Sequence, residues 1–197
     1  MFDILVPKCL IIDYGISRRF ASIAGADMAV KSAARAGAGT QAAAAGDKIA
    51  VRPARATDIS QVAALDKRVT GLAKPDYWQQ AFERYSAAPA HACSFLVAES
   101  REPSSRQPIL GFILGEVRAW EFGSAPCGWV LALSVEPRAR LHGVGQALFE
   151  AMAAEFKAAG VRQMRTMVAR DNRLHLMFFR SEGMTAGPYL QLEKELD

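Results

Sequence analysis

Val135-Glu-Pro-Arg-Ala-Arg-Leu-His-Gly-Val-Gly-Gln-Ala-Leu148 is the stretch that decides how this chain folds. An apolar strand, Gly128 to Val135, runs into a turn that begins at Pro137 and carries glycines at the spacing Arg140-x-x-Gly143-x-Gly145. Directly behind it Val144, Leu148, Met152 and Phe156 recur every four residues, flanked by Ala147 and Ala151, and the pattern stops at Gly160. That is an amphipathic helix with one face for a core. The first amides of such a helix have no intrahelical partner, and the aligned peptide dipoles leave them partly positive. Glycines at the turn let the backbone come close to a bulky anion, so the junction reads as a cradle for a pyrophosphate.

Outward from this junction the chain alternates between the two periodicities. Lys48-Ile-Ala-Val-Arg-Pro53 reads as a short strand, and Thr57-Asp58 as the cap of a helix carrying Ile59, Val62, Ala63 and Leu65. A second helix starts at Pro75 and bears Tyr77, Trp78, Phe82 and Tyr85, whose spacing suits a core-facing stripe before it suits a binding surface. Strands are expected at Ser94 to Glu99 and Ile109 to Ala119, on either side of the polar turn Arg101 to Arg106. After the central helix come a strand at Met164 to Val168, a helix at Asn172 to Glu182 ended by Gly183, and a terminal pair of strands within Met184 to Leu196. Strands, helix, strand, helix, strands around one sheet make a mixed α/β (α+β) fold.

Composition narrows the setting. Of the 197 residues 51% are hydrophobic and 22% charged, enough for one well-buried core. Between Ala21 and Ala45 twelve of twenty-five residues are alanine, so residues 1–47 read as a poorly ordered extension and 48–197 as the folded domain. The alternative for the extension is a weak transit peptide, because Arg18, Arg19, Lys31 and Arg35 outnumber Asp27. The net charge of +4 is not gathered into a basic run, which argues against nucleic acid as a partner. Cys9, Cys93 and Cys127 have no metal-ligand spacing and suggest reduced thiols, no metal and a cytoplasmic setting. No apolar run is long enough to span a membrane, so none is expected as a partner.

The strand-turn-helix with Arg140-x-x-Gly143-x-Gly145 resembles the acetyl-CoA-binding motif of the Gcn5-related N-acetyltransferases, the GNAT superfamily. Asn172-x-x-His175-x-x-x-Phe179-x-x-x-Gly183-Met184 is similar to that family's later Asn-x-x-Ala-x-x-x-Tyr-x-x-x-Gly-Phe segment, and the resemblance covers residues 48 to 197. It implies a sheet splayed open between the strand ending at Val135 and the one starting at Met164. Pantetheine would lie in that gap along Leu133, Ser134 and Val135, pairing with backbone as an added strand does. The pyrophosphate would rest on the amides of Leu141, His142, Gly143, Val144, Gly145 and Gln146, with Arg140 organising the turn, and Asn172 and Phe179 would complete the cofactor site.

Two departures bear on mechanism. The family's tyrosine, a proton donor to the leaving thiolate, falls on Phe179, for which Tyr189 is a substitute to test. The strand position where some relatives carry a glutamate falls on Trp129, which leaves Glu116 and Glu121 as proton acceptors. Glu116 is preferred because it interrupts the apolar run Ile109 to Val117, where a lone carboxylate is costly. Without a strong base an amine that is already partly neutral is the better acceptor: a group of pKa about 7.7–8.0 rather than a lysine near 10.4. The expectation is therefore an N-acetyltransferase using acetyl-CoA on a peptide N-terminal or other weakly basic amine, monomeric or homodimeric. A catalytically inactive CoA-binding regulatory module is the alternative.

Overall fold

A computed structural model describes residues 48–89, 91–102, 109–120 and 123–196. The 1–47 extension, most of the Arg101 to Arg106 turn, and Glu121 lie outside the described residues. Five strands form one sheet in chain order: β1 (Ile49–Pro53), β2 (Cys93–Ser100), β3 (Ile109–Arg118), β4 (Cys127–Val135) and β5 (Met164–Thr166). The first four are antiparallel, and β5 lies parallel to β4 after a helical crossover. Helices α1 (Ile59–Thr70) and α2 (Pro75–Ser86) precede β2, α3 (Val144–Ala158) makes the crossover, and α4 (Arg173–Ser181) follows β5.

Each face of the sheet buries its own core. On one, Val62, Leu65, Trp78 and Tyr85 of α1 and α2 pack on Phe95, Val97, Phe112 and Leu114. On the other, Val144, Leu148, Met152 and Phe156 of α3 pack on Leu96, Ala98, Ile113 and Val130, with Phe179 of α4 beside them. The four α3 residues read from the sequence as a stripe are all buried to 2% or less. The helix sits close because strands beneath it carry glycine: a Cβ on Gly115 would lie 2.8 Å from the Phe156 ring, and one on Gly128 would collide with it.

The aromatic stripe of α2 is core, as its spacing suggests, with Trp78 and Tyr85 buried and only Tyr77 turned out. At the start of α1 the expected forward cap is absent. Asp58 instead reaches back, taking the Arg55 amide (2.8 Å) and the Arg52 guanidinium (2.6 and 3.0 Å). Burial alone would raise its pKa, but the hydrogen bonds and charge of Arg52 and Arg55 outweigh that and hold the carboxyl below its usual range.

The terminal pair of strands is a correction. Residues 184–196 form no strand: Gly187-Pro188 interrupts the run, and Leu190, Leu192 and Leu196 stand 70–86% exposed. β5 is correspondingly short, three residues instead of five, because no strand pairs with its outer edge among the described residues. Among these residues no helix is long and apolar enough to cross a membrane.

Candidate functional site

β4 is paired differently along its length. Gly128, Trp129 and Val130 stand opposite Met164, Arg165 and Thr166, and the Thr166 hydroxyl donates to the Val130 carbonyl at 2.9 Å. Beyond that rung β5 ends while β4 continues to Val135, so the sheet opens. On the β3 side the register jumps from Ala132 to Val130, which makes Leu131 a bulge residue and turns it outward. The Glu136 amide donates to the Leu110 carbonyl (2.8 Å). Ladder alternation then points the backbone of Ala132 and Ser134 toward β3 and that of Leu133 and Val135 into the gap. The gap therefore presents main-chain donors and acceptors to an amide-bearing ligand.

The turn at the mouth of the gap has an unusual backbone. Leu141 has φ +64 although its side chain is fully exposed, and Gly143, two residues on, has φ +81. Left-handed residues alternating with ordinary ones turn successive N–H groups to one side, a concave anion site. No packing accounts for the strain at Leu141. Arg140 folds back to donate from Nε to the Val135 carbonyl (3.4 Å), and His142 Nδ1 lies 2.7 Å from the Arg140 carbonyl. The first helical hydrogen bond of α3 runs from the Ala147 amide to the Gly143 carbonyl (2.9 Å). The amides of Val144, Gly145 and Gln146 are thus without intrahelical partners.

The two glycines divide the work. Gly143 supplies the left-handed N-cap of α3, whereas a Cβ on Gly145 would lie 3.2 Å from the Phe178 ring, so Gly145 lets α4 approach. Phe179 also serves that approach, while Asn172 acts within α4 itself. Asn172 caps α4 by accepting from the His175 amide (3.1 Å), and Phe179 is 6% exposed, its ring against Phe149, Phe178 and His175. Burial and then the nearby Arg140 charge lower the His175 pKa, so its ring is neutral at pH 7.

On the α2 side of the sheet Glu116 is buried and engaged at both oxygens, by the Tyr85 hydroxyl (2.9 Å) and by Arg118 Nε (2.5 Å). Burial, then the charge and hydrogen bond of Glu116, push the Tyr85 pKa up, so its hydroxyl stays a donor. The carboxylate that the sequence singled out as costly is matched by one donor at each oxygen. Trp129, the register partner of Glu116, lies under the Arg118 guanidinium (5.9 Å).

Sequence reasoning missed the buried pair beside the turn. Glu136, 6% exposed, accepts from Arg68 Nε and Nη2 (3.1 and 2.7 Å) and ties α1 to the end of β4. An acidic residue at the end of an apolar strand, directly before proline, was the available signal. Arg165, half-buried on β5, was missed as well. A broad groove of about 1280 Å³ lies away from the turn, bounded by Trp129, Phe149, Phe156, β5 and residues 182–193, where the expected strands are absent.

The profile described as "Acetyltransferase (GNAT) family" matches residues 59–183. No curated protein matches the sequence. Among solved structures, the chain is similar to aminoglycoside N-acetyltransferase AAC(6')-Iy in complex with CoA, at 17% identity, TM-score 0.64, covering 75% of this chain and 94% of that one. It is also similar to glucosamine-6-phosphate N-acetyltransferase from Arabidopsis thaliana (18%, 0.59, 76% and 99%). A transcriptional regulator from Bacillus halodurans C-125 gives 16%, 0.62, 75% and 99%. These likenesses are of fold.

Proposed function

This chain belongs to the GNAT acetyltransferase family, and on that premise we propose that it transfers the acetyl group of acetyl-CoA to a weakly basic primary amine. Acetyl-CoA is the co-substrate. It supplies an activated thioester: the amine nitrogen bonds to the acetyl carbon, the carbon–sulfur bond breaks, and the amine's proton is lost as the thiol is released. The observation that carries this reading is the half-open β4, with the Leu133 and Val135 backbone facing a gap that ends at the bare amides of α3.

The chain's own part is positioning. Leu133 and Val135 hold the amide-bearing arm, and the amides from Leu141 to Gln146 hold the diphosphate, with Arg140 bracing the turn against Val135. Such register, together with main-chain dipoles at the acyl oxygen, is a large share of what an acyl transfer needs. Glu116 orders the acceptor face through Tyr85 and Arg118, and the amine arrives neutral. An α-amino group of pKa about 7.7–8.0 is neutral for roughly a tenth to a fifth of the time at pH 7, a lysine for less than about one part in a thousand. Phe179 offers no proton to the thiolate, and a thiol of pKa about 8.5 leaves adequately without one.

The test is thiol release from acetyl-CoA against an array of peptides and small amines. The expected rate rises about tenfold per pH unit below the amine's pKa and then levels. Lysine side chains acetylated faster than α-amines would contradict the acceptor class. The second reading, a CoA-binding regulatory module, is favoured by Trp129 standing where some relatives carry a glutamate and Phe179 where the family carries a tyrosine. Tight CoA uptake with no thiol release from any amine would establish it.

A further inference from the structure

Among the described residues Arg165 has no acidic partner. It is half-buried at the register position opposite Trp129, one residue before the rung at which β4 and β5 part. Its Nη1 donates to Ser124 Oγ (3.0 Å), its Nη2 to Gln163 Oε1 (2.9 Å), and its guanidinium stacks over the Tyr189 ring at 4.9 Å. All three partners are neutral, and a guanidinium presents five N–H donors in a planar fork, so charge and donors remain available. Arg118, in contrast, is matched to Glu116.

A second observation falls at the same place. Trp129 Nε1 is buried with no hydrogen-bond partner, the one such side-chain atom among the described residues. Buried polar groups are nearly always satisfied, and an orphan donor calls for an explanation. Side chains at paired positions of adjacent parallel strands stand side by side on one face. Gly128 faces α3, as its clash with Phe156 shows, so Trp129 and Arg165 both face away, toward the side of Glu116 and Tyr85. A cation and an unpartnered N–H, both donors, thus stand at paired positions within about one residue, roughly 3.3 Å along the strand, of the point where the gap opens.

Resting on the acetyltransferase reading, we propose that the acceptor amine carries an anionic group, a carboxylate or a phosphate, which Arg165 binds with its free donors and Trp129 Nε1 seconds. The pairing is charge-assisted and directional, and it sets the nitrogen at the mouth of the gap. Glu116 does not repel the anion, because Arg118 neutralises it.

The experiment compares matched, weakly basic acceptors that differ only in the acidic group: the dipeptide Gly-Phe against its C-terminal amide for carboxylate, and O-phosphoserinamide against serinamide for phosphate. The expected result is a kcat/KM about tenfold to a hundredfold higher for the acid of at least one pair. For the first pair basicity works against that outcome, since the amide has the less basic nitrogen. Whichever pair responds identifies the anion. In Arg165→Met the advantage of the acid over its neutral partner falls about tenfold or more through KM, and Arg165→Lys restores part of it. Equal kcat/KM within both pairs of the wild-type enzyme overturns the anion site and leaves the transferase reading intact. Failure of the wild-type protein to take up CoA in calorimetry overturns the transferase reading itself.

Discussion

The two halves of β4 are built to opposite ends. From Cys127 to Val130 the strand is paired on both sides, and Gly128 is pressed beneath Phe156 of α3. From Leu131 to Val135 it is paired on one side only, carries a bulge, and runs into a turn held at positive φ. A backbone group taken out of water must find a partner, so a strand whose outer side carries no neighbouring strand leaves main-chain groups open to one, the Val135 carbonyl held by Arg140 apart. The same nine residues divide stability from binding, and one half can be perturbed without the other.

The largest effect is expected in the closed half. Gly128→Leu drives a side chain into the Phe156 ring with no room for either to yield. It should cost about 3 kcal/mol or more of stability in chemical denaturation, at the upper end of overpacking. A variant as stable as the parent would mean that α3 does not rest on the strand as described, and the contrast between the halves would fail.

The next effect belongs to the turn. Gly143→Val places a β-branched residue at φ +81, where it costs about 1–2 kcal/mol of backbone strain and tilts the amides behind it. Calorimetry with CoA is expected to show a loss of affinity of about tenfold to a hundredfold, the equivalent of one or two displaced charge-assisted hydrogen bonds, in a protein that still folds. Unchanged affinity in the folded variant would remove the turn from the binding site.

Reading order explains what was legible in advance. The α3 stripe, the glycine turn and the apolar β4 are local signals, written in spacings of two to five residues, and they survive folding because each is decided by its own neighbourhood. Glu116 was visible as an anomaly, but its partners Tyr85 and Arg118 come from α2 and from its own strand, and no spacing announces the first of them. Asn172 and Phe179 were expected at the cofactor from a shared motif; within the protein Asn172 caps α4 and Phe179 packs on Phe149 of α3, contacts that the motif's spacing does not announce. The terminal strands failed for a related reason. Leu190 and Leu192 alternate as a strand does, yet a strand needs an edge in register, and Gly187-Pro188 breaks the approach to β5. Arg165 left no trace in sequence, because what distinguishes it is a set of neutral partners, Ser124, Gln163 and Tyr189, drawn from three separate stretches of chain.

The smallest effect is the sharpest test of the division, because it separates strain from contact. Leu141 sits at φ +64 with its side chain wholly in solvent, so it contributes no packing to either core. A non-glycine residue in the left-handed region costs about 1–2 kcal/mol, and glycine relieves it while loosening the unfolded chain by about half that or more. Leu141→Gly is therefore expected to change stability by no more than about 1 kcal/mol, in the favourable direction, in thermal unfolding. CoA affinity should fall by only a few-fold, since the amides keep their directions and lose only their rigidity. A tenfold or larger loss would mean that the leucine side chain itself touches the ligand, and the turn beyond β4 would then bind through a side chain as well as main chain.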